Sequence, residues 1–199
     1  MRRTILGLAI AAAVTAGSGP AAAGKLAGVT LPDTVTVGGV PLVLNGMGLR
    51  EATFLKIDVY VAGLYLPRVS SDPAAILGSD GVKQLVLRFV RDVDRDDIVE
   101  AWTSGFAGNA SVPVAALRPQ IARLNAWMPK FADGDTLVFR YVPGDGVTVE
   151  INGVRKGVIQ GADFARSLFA IWLGPKPPTS DLKRGLLGNH STVAGKDRS

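Results

Sequence analysis

The sequence predicts an α+β fold in which an antiparallel sheet carries helices packed on one face. Three observations predict it. Short runs rich in Val, Ile, Leu and Tyr open the chain and return as a three-strand meander near residues 136–159. Segments with helical apolar periodicity lie between and after them. The order of strands, helices, meander and helices lacks the regular strand–helix alternation of a doubly wound sheet.

The elements follow in chain order. Gly38-Gly39 separates two apolar runs in residues 35–43 and predicts a hairpin. Residues 42–54 read as a long strand, in which Gly46 and Gly48 mark a bulge or a close backbone approach. Residues 56–66 form a second strand. Asp72 caps a short helix over 73–77 with Pro73 at its first position. Residues 82–90 are an apolar strand. A helix over 94–106 follows, with Ile98, Ala101, Trp102 and Phe106 on one face and acids in its first turn. Leu117, Ile121, Leu124 and Met128 give a helix over 114–128 that begins nearer Pro119, because proline breaks a helix interior. Strands over 136–142, 146–151 and 154–159 are joined by Pro143-Gly144-Asp145-Gly146 and by Asn152-Gly153, a strong hairpin signal. Residues 162–173 form an amphipathic helix with Phe164, Leu168, Ile171 and Trp172 inward. A last short helix over 180–187 is capped by Thr179 or Ser180.

Arg2 and Arg3 precede a short apolar run over residues 5–16, and Ala21-Ala22-Ala23 offers a small-residue cleavage site. This is the pattern of a secretory signal peptide over 1–23, too short for a membrane span, and it places the mature protein in the periplasm or outside the cell. Residues 24–188 are then one domain with a sizeable core, and 189–199 a polar, frayed tail. There is no cysteine, so neither a disulfide, a thiolate metal site nor a cysteine-linked acyl anchor is available. The net charge of +5 is unevenly placed. Arg2 and Arg3 carry two of those charges. Lys176, Lys183, Arg184, Lys196 and Arg198, against Asp181 and Asp197, carry the other three. Residues 24–174 are therefore neutral, which argues against nucleic acid as a partner.

Most catalytic templates are missing. The single histidine, His190, sits in the polar tail. No nucleophile elbow, phosphate loop or dinucleotide fingerprint precedes a helix. Asp92, Asp94, Asp96 and Asp97 read more simply as a charged helix start than as a calcium site. What remains is Arg50 and Tyr60, on neighbouring strands amid apolar residues. A guanidinium is a planar fork of donors that matches a carboxylate, and a tyrosine hydroxyl can add a third hydrogen bond. Pattern alone favours an outward arginine and a core tyrosine; convergence on one anion is the other reading.

At these residues the chain resembles the chalcone isomerase-like family. NGMGLR, followed by K-x-x-V-Y-V-A-G-L-Y-L, carries the resemblance, with GDTLVFRY-x-P-x-x-G in the meander and GADFARSLFAIWLG…SDLKRGLLG at the end. The resemblance implies an open-faced β-sandwich, a large antiparallel sheet under a layer of helices with a ligand cleft between. In the family's isomerases an arginine stabilises the attacking phenolate, a threonine and a tyrosine position a water, and an asparagine and a Ser/Thr contact the flavonoid. Arg50 matches the arginine. The threonine position falls on Tyr60, as in the fatty-acid-binding members, where Arg and Tyr hold the carboxylate. The other positions fall near Ile98, Gly105 and Ile171.

The resemblance and the signal pattern thus imply a non-catalytic, exported protein that binds a fatty acid or similar amphipathic carboxylate; a monomer without cofactor is expected, and the lack of cysteine and of a second histidine argues against a transition metal. The expected ligand-binding residues are Arg50, Tyr60, Trp102, Phe106, Ile171 and Trp172, with none catalytic. Two alternatives stand beside it: an isomerase or cyclase of chalcone-like enones, and a structural domain in which Arg50 pairs with Glu51, Asp58 or Glu150.

Overall fold

The computed structural model describes residues 23–52 and 57–189. The expected signal segment up to residue 22, residues 53–56 and the tail from His190 lie outside them. Seven strands form one antiparallel sheet in strict chain order: β3 Thr34–Val37, β4 Val40–Ala52, β5 Ile57–Leu66, β6 Lys83–Phe89, β7 Thr136–Val142, β8 Gly146–Ile151 and β9 Val154–Ile159. The Gly38-Gly39 and Asn152-Gly153 turns both have positive φ at their two central residues, as two-residue hairpins require.

Before the sheet, β1 Ala23–Leu26 and β2 Val29–Pro32 form a separate two-stranded hairpin. The sequence pattern did not indicate it. Its turn is Ala27-Gly28, and Ala27 adopts φ 45°, a conformation that alanine seldom signals. The hairpin lies over one face of the sheet, where Leu31, Val37, Leu42, Met47, Val61, Tyr65, Val86 and Val138 form a small apolar cluster. Tyr65 donates to the Pro32 carbonyl at 2.8 Å and ties the two together.

The helices α1 Pro73–Gly78, α2 Arg95–Asn109, α3 Arg118–Trp127, α4 Ala162–Leu173 and α5 Ser180–Leu186 cover the other face and the large core. Asp72 caps α1 through the Ala74 and Ala75 amides, and Thr179 caps α5. The expected helix over 114–128 splits: residues 114–117 form a 3-10 turn, and α3 starts one residue before Pro119, which needs no amide donor there. α4 is buried on nearly every side, since sheet and neighbouring helices enclose it.

Two bulges set which way the β4–β5 side chains face. Leu44 pairs with Tyr65 and Gly46 with Leu64, so Asn45 is an extra residue on β4. Before it, Leu42 and Leu44 face the β1–β2 hairpin; after it, Met47 and Leu49 do. Gly46, Gly48 and Arg50 are thereby turned to the helix side. Asn45 earns this position with its side chain, which donates to the Ser70 and Leu186 carbonyls at 3.0 and 2.8 Å and accepts from the Ser70 amide at 2.7 Å. A second bulge leaves Val59 unpaired, between Arg50↔Tyr60 and Glu51↔Asp58.

Gly46 and Gly48 combine both expected roles. Gly46 adjoins the bulge, and both glycines admit a backbone: a Cβ at either would overlap the carbonyl oxygens of Gly185 or Leu182 in α5. Gly48→Ala should therefore lower stability by about 1–3 kcal/mol, read as an earlier denaturant midpoint. Asn45→Ala removes three hydrogen bonds at a buried site and should cost about 2–3 kcal/mol. An Asn45→Ala protein as stable as the parent would show that the bulge is held by something else.

Candidate functional site

A cavity of about 560 Å³ opens between the β4–β5 end of the sheet and α2, closed at one side by α4 and the Lys176-Pro177-Pro178 linker. Its size is ordinary for a small-molecule site. Arg50 and Tyr60 both line it, and they are direct cross-strand partners. Directly opposed antiparallel residues on one face have Cβ atoms about 5 Å apart, so the two side chains start side by side.

Tyr60 is 5% exposed. Its hydroxyl oxygen accepts from the Trp172 indole N–H at 3.0 Å. The phenol proton is left to point elsewhere, and no acceptor among the described residues takes it. Burial pushes the Tyr60 hydroxyl up to about 12, against the smaller opposing pull of the Trp172 hydrogen bond and the Arg50 charge. At neutral pH it is a fixed donor, not a base.

Arg50 is half-buried, and its guanidinium donates to the Glu51 backbone carbonyl. None of the ion pairs among the described residues involves it. Glu150, one candidate partner, is instead held by Arg140 at 2.6 Å. Asp58 stands opposite Glu51 in the ladder and is exposed. Among the described residues, then, donors of the Arg50 fork have no partner, and they lie at the edge of an apolar cleft.

Of the residues expected to bind a ligand, the structure brings Arg50, Tyr60, Trp102 and Ile171 to the cavity wall. It does not bring Phe106 or Trp172 there. Phe106 is fully enclosed and stacks on Phe164, and Trp172 lies behind Tyr60. Their spacing on inward helix faces could not distinguish wall from core. Ile98 and Gly105 also line the cavity. At Gly105 α2 meets α4 so closely that a Cβ would strike the Ile171 side chain.

The sequence reading missed the linker. Asn109 anchors it: its amide donates to the Gly105 and Lys176 carbonyls at 3.0 and 2.9 Å, and its oxygen accepts from the Lys176 amide at 2.8 Å. Lys183 adds a bond to the Gly174 carbonyl at 2.8 Å. No local pattern marks residues 176–178 as a wall; only the return of α5 across β4 puts them there. The rim also carries Arg91, Asp92 and Asp97. Lys130 pairs with Asp92 and Asp94 at 3.7 and 3.3 Å, so the acidic cluster serves as a charged helix start. Among the described residues no group of three His, Asp or Glu could hold a metal ion, and no helix is long and apolar enough to cross a membrane.

With the sheet, the helix layer and the cleft in place, residues 23–188 match the model of a family described as chalcone isomerase-like. The chain belongs to the chalcone isomerase-like family. A solved fatty-acid binding protein of Arabidopsis thaliana superposes with a TM-score of 0.66 at 18% identity, covering 84% of this chain and 97% of that one. At that identity the likeness is one of fold, and it agrees with the expected open-faced sandwich. No curated protein matches the sequence.

All three tyrosines, Tyr60, Tyr65 and Tyr141, are pushed from 10.0 to about 12, chiefly by burial. The folded protein then holds these protons more tightly than the unfolded chain. Their contribution is complete below pH 10 and is lost as pH rises toward 12. Ultraviolet titration of the native protein should show no phenolate near pH 10, and a transition at that pH that is lost in Tyr60→Phe would contradict the burial of Tyr60.

Proposed function

We propose that this protein is exported and binds a fatty acid or similar amphipathic carboxylate in the cleft, without catalysing its conversion. The reading is carried by one observation. Arg50 and Tyr60 are cross-strand partners facing the same apolar cleft, each with donors that no carboxylate among the described residues takes. A charged group brought to such a site costs several kcal/mol unless it is paired, and a ligand carboxylate supplies the pair. The rim supports this: it carries three cations, Arg50, Arg91 and Lys176, and two acids, Asp92 and Asp97, of which Asp92 is already paired with Lys130. The fatty-acid binding of the Arabidopsis protein of the same fold points the same way.

The wall offers little for ring closure. An enolate needs preorganised donors as its charge develops, and the positions that would supply them in the family's isomerases fall near Ile98, Gly105 and Ile171, which line the cleft here. The Arg2-Arg3 pair, the apolar run and the Ala21–Ala23 triplet support export.

Lipid extraction and native mass spectrometry of protein purified from its producing cell should recover a bound acid. Octanoic to stearic acids should raise the melting temperature of the emptied protein. Arg50→Ala should lose about 2–5 kcal/mol of binding. No recovered ligand together with no thermal shift sinks the reading. Turnover of chalcones that disappears in Arg50→Ala replaces it with an isomerase.

A further inference from the structure

The cleft has a polar pole and a closed back, and this limits the ligand that the carboxylate-binding reading allows. If a carboxylate sits at Arg50 and Tyr60, its carbon chain must leave in one of two directions. Inward lies the space between sheet and helices, and aromatic rings fill it. The Trp102 ring packs edge-on at 5.5 Å from Trp172 and 6.3 Å from Phe139, and Trp172 and Phe139 lie 5.9 Å apart. Trp102 is 2% exposed and the other two are fully enclosed. Trp172 is also fixed by its hydrogen bond to Tyr60. No chain passes this triad without displacing an indole. The outward direction is open: Ala101 of α2 is exposed, and Pro177 and Pro178 opposite it are half-buried.

Trp102 is the indole of the wall that no hydrogen bond tethers. Its indole nitrogen is buried without a hydrogen-bond partner, so packing alone holds it, whereas Trp172 is tethered. We propose that Trp102, backed by Trp172, closes the interior and sets the chain length, so that this protein takes short- or medium-chain carboxylates. The first carbons of the ligand lie against Trp102 and Ile171, and later ones run out between α2 and Pro177-Pro178, where they gain little burial. This rests on the carboxylate-binding reading and names the class of acid within it.

Calorimetric titration of the emptied full chain with butanoate, octanoate, dodecanoate and hexadecanoate tests it. Each methylene buried multiplies affinity about fourfold. Affinity should climb to octanoate and then level off. Trp102→Ala and the gentler Trp102→Leu should move the plateau to dodecanoate or hexadecanoate while still requiring Arg50. Thermal melts identify a variant that does not fold, and the parent protein's own series decides the matter if both fail. A parent affinity that keeps rising about fourfold per methylene to hexadecanoate overturns the proposal and leaves carboxylate binding intact. So does a chain-length profile that folded Trp102 variants leave unchanged. No binding of any of the four acids overturns the carboxylate-binding reading, and this proposal with it.

Discussion

One inserted residue decides which way the site faces. Side chains on a strand alternate with a period of two, so a single extra residue exchanges the faces of everything beyond it. Asn45 is that residue on β4. Leu42 and Leu44 face the β1–β2 hairpin, and on unbroken alternation Arg50 would share their face. The bulge gives that face to Met47 and Leu49 and sends Arg50 to the helices. Asn45 secures the register by bonding the loop after β5 and the end of α5, two segments far away in sequence. Gly46 and Gly48 then let the α5 backbone rest directly on β4. Arg50, two residues further along the same face, stands beyond the start of α5, where the Pro177-Pro178 approach leaves an opening.

Within that opening, polar and apolar groups divide the work. The Trp172 indole occupies the Tyr60 oxygen, which orients the phenol as a donor while burial keeps it neutral. Among the described residues Arg50 has only a backbone carbonyl for a partner. The aromatic residues do not line a long tunnel; Trp102, Trp172 and Phe139 form a packed wall. The same rings that stabilise the core thus end the cleft. Asn109 fixes the opposite bank by bonding α2 to the linker before α5.

Much of the architecture was legible locally. The Asn152-Gly153 hairpin, the three meander strands, α4 and the Asp72 cap each follow from chemistry confined to a few residues. The β1–β2 hairpin was not legible, because its turn places Ala27 at positive φ and its apolar residues are sparse. Val114 to Leu117 kept helical spacing yet form a 3-10 turn, since Pro119 moves the start of α3. For the site, Arg50 and Tyr60 stood out as polar residues in apolar strands, and the likeness to the family implied a carboxylate for them. Trp102 and Ile171 were found among many inward residues. Phe106 and Trp172, equally inward by spacing, lie behind the wall.

The sequence by itself determined most of the elements, the antiparallel sheet, the family and the pair of side chains on which the reading turns. These depend on local propensity, turn chemistry and motif. Only the tertiary structure decided that Arg50 and Tyr60 are direct partners, that the Lys176-Pro177-Pro178 linker is a wall, and that the aromatic residues close the cleft instead of extending it. The physical reason is that periodicity gives the direction of a side chain from its own element. Whether it meets a cavity or another ring depends on elements that arrive from elsewhere in the chain, here α5 across β4 and α4 beneath α2.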